Sequence, residues 1–217
     1  MDWSVGWQYR GMLFDGAVVT VLLTVLTMVV AVPGGIGIML LRQSRFTVLR
    51  AIGVAYVEFF RNLPLILLIY WAFYVLPMLI DVRVSEFATG LIALSLNVSA
   101  YNSETFRAGV NSIRRGQTDA ALALGMSRLQ AMRQVVLPQA LRRILPVLAS
   151  TWVSLFKDTS LVSVIAVGDI AHQALQIRSQ TFRVLEMLTI MAGLYWVLGY
   201  PQAKLVDWID RRTGVKE

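Results

Sequence analysis

The sequence of 217 residues contains no cysteine, a single histidine and few charged residues, which make up 15% of the chain. The absence of cysteine excludes disulfides, thiolate metal sites and cysteine nucleophiles, and His172 alone cannot form a histidine-rich metal centre. No G-x-x-x-x-G-K phosphate loop occurs, so ATP is not bound and hydrolysed by that route. The G-x-S-x-G and H-E-x-x-H motifs are also missing, so a hydrolase is not predicted and the chain is not expected to be an enzyme.

Hydrophobic residues make up 57% of the chain, whereas about a quarter of the residues in a soluble domain are charged. This composition predicts an all-α integral membrane protein. A membrane helix needs about 20 mostly apolar residues. We therefore predict five transmembrane helices in one domain, 1–217, with spans at about 16–41, 55–80, 87–106, 142–168 and 186–205. Pro33 and the glycines after it are expected to kink or loosen the second half of the first span.

The distribution of basic residues predicts the orientation of these spans. Five spans place the two termini on opposite sides of the membrane. If the N-terminus is outside, the inner segments hold 15 Lys and Arg residues and the outer segments hold four, namely Arg10, Arg83, Arg178 and Arg183. Because inner loops are enriched in basic residues, we predict an outer N-terminus and a cytoplasmic C-terminus. The excess of 20 Lys and Arg over 13 Asp and Glu is then explained without a nucleic acid partner.

The inner segment of about 35 residues between the third and fourth spans, 107–141, is too long for an unstructured loop. Asp119 is placed as if at a helix start, and Gly125 suits a C-terminal cap. A capping box from Ser127 to Gln130 opens a second helix, which is predicted to stop at Pro138.

The residues alone leave two interpretations of these two short amphipathic helices. They could rest among lipid headgroups on the membrane surface. Alternatively, they could dock a cytoplasmic partner, because the small residues Ala120, Ala121, Ala123 and Gly125 would allow another backbone to approach closely.

Several motifs in this segment and around it resemble one family. Asp119-Ala120-Ala121, Gly125, Val135 and Leu137-Pro138 resemble the "EAA" motif of ABC importer permeases, in which Glu stands at the first position and Ile replaces Val135. Five stretches resemble the polar amino acid (histidine/glutamate/aspartate-type) subfamily: 59–65 (FFRNLPL), 107–117, 123–127 (ALGMS), 137–140 (LPQA) and 157–161 (KDTSL). The resemblance extends from about residue 10 to 212.

The resemblance implies a type I ABC importer permease fold with a cytoplasmic coupling helix, in the bacterial cytoplasmic (inner) membrane. Its partners would be an identical or homologous second permease, two ATP-binding subunits and an extracytoplasmic solute-binding protein. ATP and Mg²⁺ would be bound by the ATP-binding subunits, and this chain would carry no cofactor. The substrate would be a polar amino acid. The pattern of the second span and of residues 97–101 most resembles acidic amino acid permeases and therefore favours glutamate or aspartate. The residues that contact the ATPase would be Gln117, Asp119, Ala120, Ala121 and Gly125.

Polar residues inside the spans are candidates for the substrate path, because such groups are costly in hydrocarbon. Lys157 and Asp158 point about 100° apart on a helix, and the residues after them would permit unwinding. They could pair with other spans, or Asp158 could contact the ammonium group of an amino acid, with Thr151 and Ser154 in the same stripe. On the third span, Asn97 and Tyr101 could form interhelical hydrogen bonds or line the path.

Two further interpretations follow from the residues. Glu58 and Arg61 are three residues apart, and an ion pair between them is the simplest prediction. A different function, an ion-gradient-driven carrier or channel with Asp158 as proton relay, is the alternative to an ATP-driven permease. The long inner segment and the lack of an inverted repeat in a five-span unit argue against that alternative.

Overall fold

The computed structural model describes residues 3–213, which form helices and no strands. The α-helices are α1 (Ser4–Gln8), α2 (Arg10–Arg42), α3 (Thr47–Asn62), α4 (Leu65–Tyr70), α5 (Leu76–Ile80), α6 (Glu86–Asn111), α7 (Arg115–Ala123), α8 (Arg128–Ala131), α9 (Leu137–Asp158), α10 (Ile170–Thr181) and α11 (Val184–Thr213). Two π-helical turns, Trp71–Val75 and Met132–Val136, and a 3₁₀ helix, Thr159–Ile165, connect some of them. All-helical architecture is therefore confirmed for the described residues.

The long helices pack around a buried core formed mainly by α2 and α6. Leu23 and Ala31 of α2, Leu94 and Val98 of α6 and Leu155 of α9 belong to one buried apolar cluster. By length and composition, α2 and α11 could each cross a membrane, and α3 with Leu65–Leu79 could form one broken span. The count of five spans and the orientation of the termini stay predictions.

The predicted second span, 55–80, is not one continuous helix. The helix ends at Asn62 and resumes at Leu65, and the two parts are bent by 106°. Leu63 has an extended backbone, with φ −87° and ψ 128°, as expected for a residue before proline. Pro64 therefore breaks this span, and residues 61–65 at the break line a cavity.

The first span, by contrast, continues as a helix through Pro33 to Arg42. Two of its glycines, Gly34 and Gly35, allow α2 to approach α6 closely. A Cβ atom added at Gly34 would lie 2.6 Å from Oγ of Ser99, and one at Gly35 would lie 2.7 Å from Cβ of Asn102. Small residues at such a contact allow two membrane helices to pack closely.

We expect Gly35→Ala to destabilise the protein by about 1–3 kcal/mol, because the added methyl group overpacks the contact with α6. Gly37→Ala is the matched control on the same helix, since a Cβ atom there would meet nothing within 4 Å. Thermal unfolding in detergent should show a lower Tm for Gly35→Ala and an unchanged or slightly higher Tm for Gly37→Ala. Equal Tm values would mean that α2 and α6 can move apart without cost.

The segment between the predicted fourth and fifth spans contains a packed helix, α10. Asp169 is buried and caps α10, where it accepts hydrogen bonds from the backbone N–H groups of Ala171 (3.2 Å) and His172 (2.9 Å). The hydroxyl of Tyr195 on α11 donates to the same carboxylate at 3.0 Å. Thr20 on α2 accepts from the N–H of Ile170 at 3.2 Å. These bonds tie α2, α10 and α11 together, and His172 lies in the first turn of α10.

Candidate coupling surface and translocation cavity

The cap predicted at Gly125 is confirmed by the backbone geometry of the inner segment. Gly125 has φ +84°, a conformation that favours glycine. The N–H of Met126 donates to the carbonyl of Ala121 (3.1 Å), and that of Gly125 donates to Leu122 (3.0 Å). These two bonds form a Schellman motif. The motif therefore ends α7 and turns the chain before α8 begins.

The capping box is confirmed as well, but the helix boundaries around it differ from the prediction. Ser127 Oγ accepts from the N–H of Gln130, and Gln130 Oε1 accepts from the N–H of Ser127. Asp119 is not at a helix start, because α7 already begins at Arg115. The second helix does not stop at Pro138. It passes through the π-helical turn Met132–Val136 into α9, where Pro138 occupies the first turn and its missing N–H is tolerated.

Of the five residues predicted to contact the ATPase, four are exposed and one is buried. Gln117, Asp119, Ala120 and Gly125 are exposed, whereas Ala121 is only 4% exposed and packs inward. Leu124 and Leu129 lie on either side of the turn and are 81% and 66% exposed. The tip of the inner segment thus presents small and apolar groups on its surface, which a membrane or a protein partner could cover.

All five residues predicted for the substrate path line one cavity of about 550 Å³. Asn97 and Tyr101 reach it from α6, and Thr151, Ser154 and Asp158 reach it from α9. The third wall is the break between α3 and α4, with residues 61–65. The bend at Pro64 therefore creates the space that the two polar stripes share.

For the third-span stripe, the structure shows one interhelical hydrogen bond and a position beside the cavity. The Asn97 side-chain amide donates to the carbonyl of Phe60 at 2.8 Å, which is an interhelical hydrogen bond, yet Asn97 still lines the cavity. Tyr101 is 43% exposed and its ring faces the guanidinium group of Arg61, 5.4 Å from the ring centroid.

On the fourth span, no ion pair within residues 3–213 joins Lys157 or Asp158 to another helix. The predicted pairing with other spans is therefore wrong for the described part of the chain. Both side chains are exposed, and Asp158 but not Lys157 lines the cavity. The helix changes character after Asp158, where α9 gives way to the tighter 3₁₀ helix Thr159–Ile165 rather than to unwound chain.

Arg61 is a site residue that sequence reasoning missed. The predicted ion pair between Glu58 and Arg61 is wrong: the Glu58 carboxylate instead accepts a hydrogen bond from the amide of Asn62 at 3.1 Å. Arg61 lies over Tyr101 and lines the same cavity as Asp158. The one signal for this role was the position of Arg61 directly before Asn62-Leu63-Pro64, where the helix breaks.

A second cavity of about 380 Å³ continues from the first, because Arg61, Tyr101 and Val147 line both. It extends along α6 to Glu104 and Ser112. Glu104 is paired with Arg42 at 2.5 Å and with Arg107. The two cavities together extend along α6 and α9 toward residues 107–141.

Bent helices long and apolar enough to cross a membrane, packed around an internal cavity, are typical of helical membrane permeases. Residues 31–215 match the family described as "Binding-protein-dependent transport system inner membrane component". The chain belongs to this family, and its resemblance to permease subunits of type I ABC importers of the polar amino acid subfamily is confirmed.

Similar proteins cover nearly the whole chain. Glutamate/aspartate import permease protein GltK of Escherichia coli O6:H1 is 34% identical, with 98% of each chain covered. Glutamine transport system permease protein GlnP of Escherichia coli (strain K12) is 33% identical, with 99% of this chain and 98% of that protein covered. The solved structure described as "Crystal structure of an amino acid ABC transporter with histidines" has a TM-score of 0.93 at 32% identity, and the match covers 98% of this chain and 99% of that one.

Proposed function

We propose that this chain is the transmembrane permease subunit of an ATP-driven importer of polar amino acids in the bacterial inner membrane. It would span the membrane five times, with the N-terminus outside and the C-terminus in the cytoplasm. Transport would proceed by alternating access, with the cavity opening to one side at a time. The observation that carries this proposal is one cavity lined by Arg61 and by all five predicted residues, Asn97, Tyr101, Thr151, Ser154 and Asp158.

The charges in the cavity match an amino acid zwitterion. The carboxylate of Asp158 would accept hydrogen bonds from the substrate ammonium group, and the guanidinium of Arg61 would donate to the substrate carboxylate. Within residues 3–213, neither side chain forms an ion pair with another residue. A bound zwitterion would thus offset the cost of placing both charges in the membrane interior. Hydroxyl and amide groups nearby would contact a polar substrate side chain.

The substrate within this class is proposed to be glutamate or aspartate. The support is the similarity to GltK, whose name specifies these two amino acids. GlnP, at nearly the same identity, is named for glutamine. Competition between labelled glutamate and unlabelled glutamine, aspartate and arginine in proteoliposomes tests the preference directly, and stronger competition by glutamine or arginine than by aspartate would contradict it.

The partners are proposed to be a second permease, two ATP-binding subunits that bind ATP and Mg²⁺, and an extracytoplasmic solute-binding protein. The exposed residues Gln117, Asp119, Ala120 and Gly125 would contact the ATP-binding subunit, and buried Ala121 would hold α7 in place. The exposed Leu124 and Leu129 extend this surface beyond the residues predicted from the motif.

Mild-detergent purification of the tagged chain from its native membrane, followed by reconstitution, tests the function. We expect an ATP-binding subunit to co-purify, and uptake of amino acid to require ATP on the side of that subunit. A second permease band would distinguish a heterodimer from a homodimer. Uptake by the chain alone, driven by a proton or sodium gradient, would instead identify an ion-driven carrier.

A further inference from the structure

A separate groove, apolar along its length and charged at one end, lies between α9 and α11. It has a volume of about 660 Å³ and shares no residue with the two polar cavities. Its walls are apolar side chains from α9 and α11, with one from α2: Leu145, Leu148, Ala149, Trp152, Leu205, Val206, Trp208, Ile209 and Met28. Gln202 and Arg212 complete the lining.

The polar groups along the groove are already occupied. The indole N–H of Trp152 donates to Oε1 of Gln202 at 2.6 Å, and Nε2 of Gln202 donates to the carbonyl of Leu198 at 2.8 Å. A polar ligand would therefore lose its bonds to water and find few replacements in the groove. A hydrocarbon chain would lose none.

The end of the groove at Arg212 is charged rather than apolar. Among the lining residues of the described chain, Arg212 is the charged one. Its guanidinium centre lies 4.3 Å from the centroid of the Trp208 ring, and this contact holds it at the groove's end. On the same part of α11, Lys204 pairs with Asp207 and Arg211 Nε donates to the Asp207 carbonyl, and Asp210 does not line the groove. A guanidinium group stacked on a ring can still donate hydrogen bonds from the N–H groups along its edge, and the spacing of these groups matches two oxygens of a phosphate.

We propose that this groove is a binding site for an anionic phospholipid, with one acyl chain along α9 and α11 and the phosphate at Arg212. Basic sites between membrane helices on the cytoplasmic side are suited to anionic headgroups. The assignment to the cytoplasmic leaflet rests on the proposed orientation, since Arg212 lies at the C-terminal end of α11. The lipid would hold α9 and α11 at a set separation and thereby brace the helix that carries Asp158.

Photo-crosslinking in nanodiscs tests the site. The probes are phosphatidylglycerol and phosphatidylcholine, each with a diazirine in the middle of one acyl chain, and the protein is the full chain with the subunits that co-purify. We expect phosphatidylglycerol to label the groove residues of α9 and α11 more strongly than phosphatidylcholine. Arg212→Gln should weaken this labelling about fivefold, the effect of one basic side chain on an anionic lipid. Arg212→Lys should retain most of it.

Two further variants separate the groove from general lipid contact. Ala149→Phe should block the labelling by filling the groove, whereas Arg211→Gln removes an equal charge that does not line it and should have no effect. Equal labelling by both lipids, unchanged by Arg212→Gln, would overturn the proposal in favour of bulk lipid contact. Labelling elsewhere on the protein but not in the groove would overturn it in favour of a protein partner. Because labelling does not require transport, failure of the proposed function would be seen separately.

Discussion

Replacement of Asp158 by Asn should lower the affinity of the assembled transporter for its amino acid about 30-fold or more. Truncating one partner of a charge pair that becomes desolvated on binding costs about 2 kcal/mol or more, and Asp158 is the acidic side chain that lines the cavity between α6, α9 and the break at Pro64. The amide cannot carry the negative charge that the substrate ammonium requires. Direct binding of labelled substrate to the purified complex, without the solute-binding protein, is the measurement.

Lys157→Gln is the control for this prediction. Lys157 is adjacent to Asp158 in the sequence and exposed, but it does not line the cavity. We expect its substrate affinity to remain near that of the unaltered protein. If both variants bind normally, the cavity is not the substrate site, and if both lose binding equally, the loss comes from the local helix rather than from the carboxylate.

The assignment of the two charged groups to the two ends of the substrate can be tested with analogues. The unaltered complex should bind a free amino acid much better than its N-acetyl derivative, and Asp158→Asn should reduce that preference. Arg61→Gln should instead reduce the preference for the free carboxylate over the carboxamide. If Asp158→Asn instead reduced the preference for the free carboxylate, and Arg61→Gln the preference for the free amine, the substrate would bind in the orientation opposite to the proposed one.

Gly125→Arg should abolish ATP-driven uptake while the chain remains inserted in the membrane. A residue other than glycine at φ +84° costs about 1–2 kcal/mol, and it would weaken the turn between α7 and α8. A Cβ atom at Gly125 has no neighbour within 4 Å, so the added side chain would begin in open space. We therefore expect its clash to occur with the ATP-binding subunit that is proposed to cover the turn. The measurements are ATP-driven uptake and the amount of ATP-binding subunit recovered with the tagged chain.

Two smaller substitutions separate backbone strain from the clash. Gly125→Asn should retain most activity, since asparagine is tolerated at this cap position. Gly125→Ala introduces the strain without the bulk and should give an intermediate result. Normal uptake by Gly125→Arg would show that the turn does not contact a partner, and the inner segment would then be a membrane-surface element.

The local features of this protein were predictable from its sequence, because they depend on residues close together along the chain. The Gly125 cap and the Ser127–Gln130 capping box follow from backbone groups that are satisfied within a few residues. The polar stripes on α6 and α9 follow from helical periodicity. These signals sufficed for the helical class and for five of the residues that line the cavity, whereas the family was indicated by the resemblance of its spaced motifs.

Tertiary structure alone decided how these parts meet. The guanidinium of Arg61 lies over Tyr101 of α6 rather than beside Glu58, a contact between residues 40 positions apart. The chain bends by 106° at Pro64, and no local pattern specifies the angle at which two helices resume after a break. Pro138 was predicted to end a helix, yet a π-helical turn carries the chain past it. One cavity lies between α6, α9 and the broken span because residues far apart in the sequence pack against each other. Helical periodicity predicts which face of a helix is polar, but it does not predict which helix packs against that face.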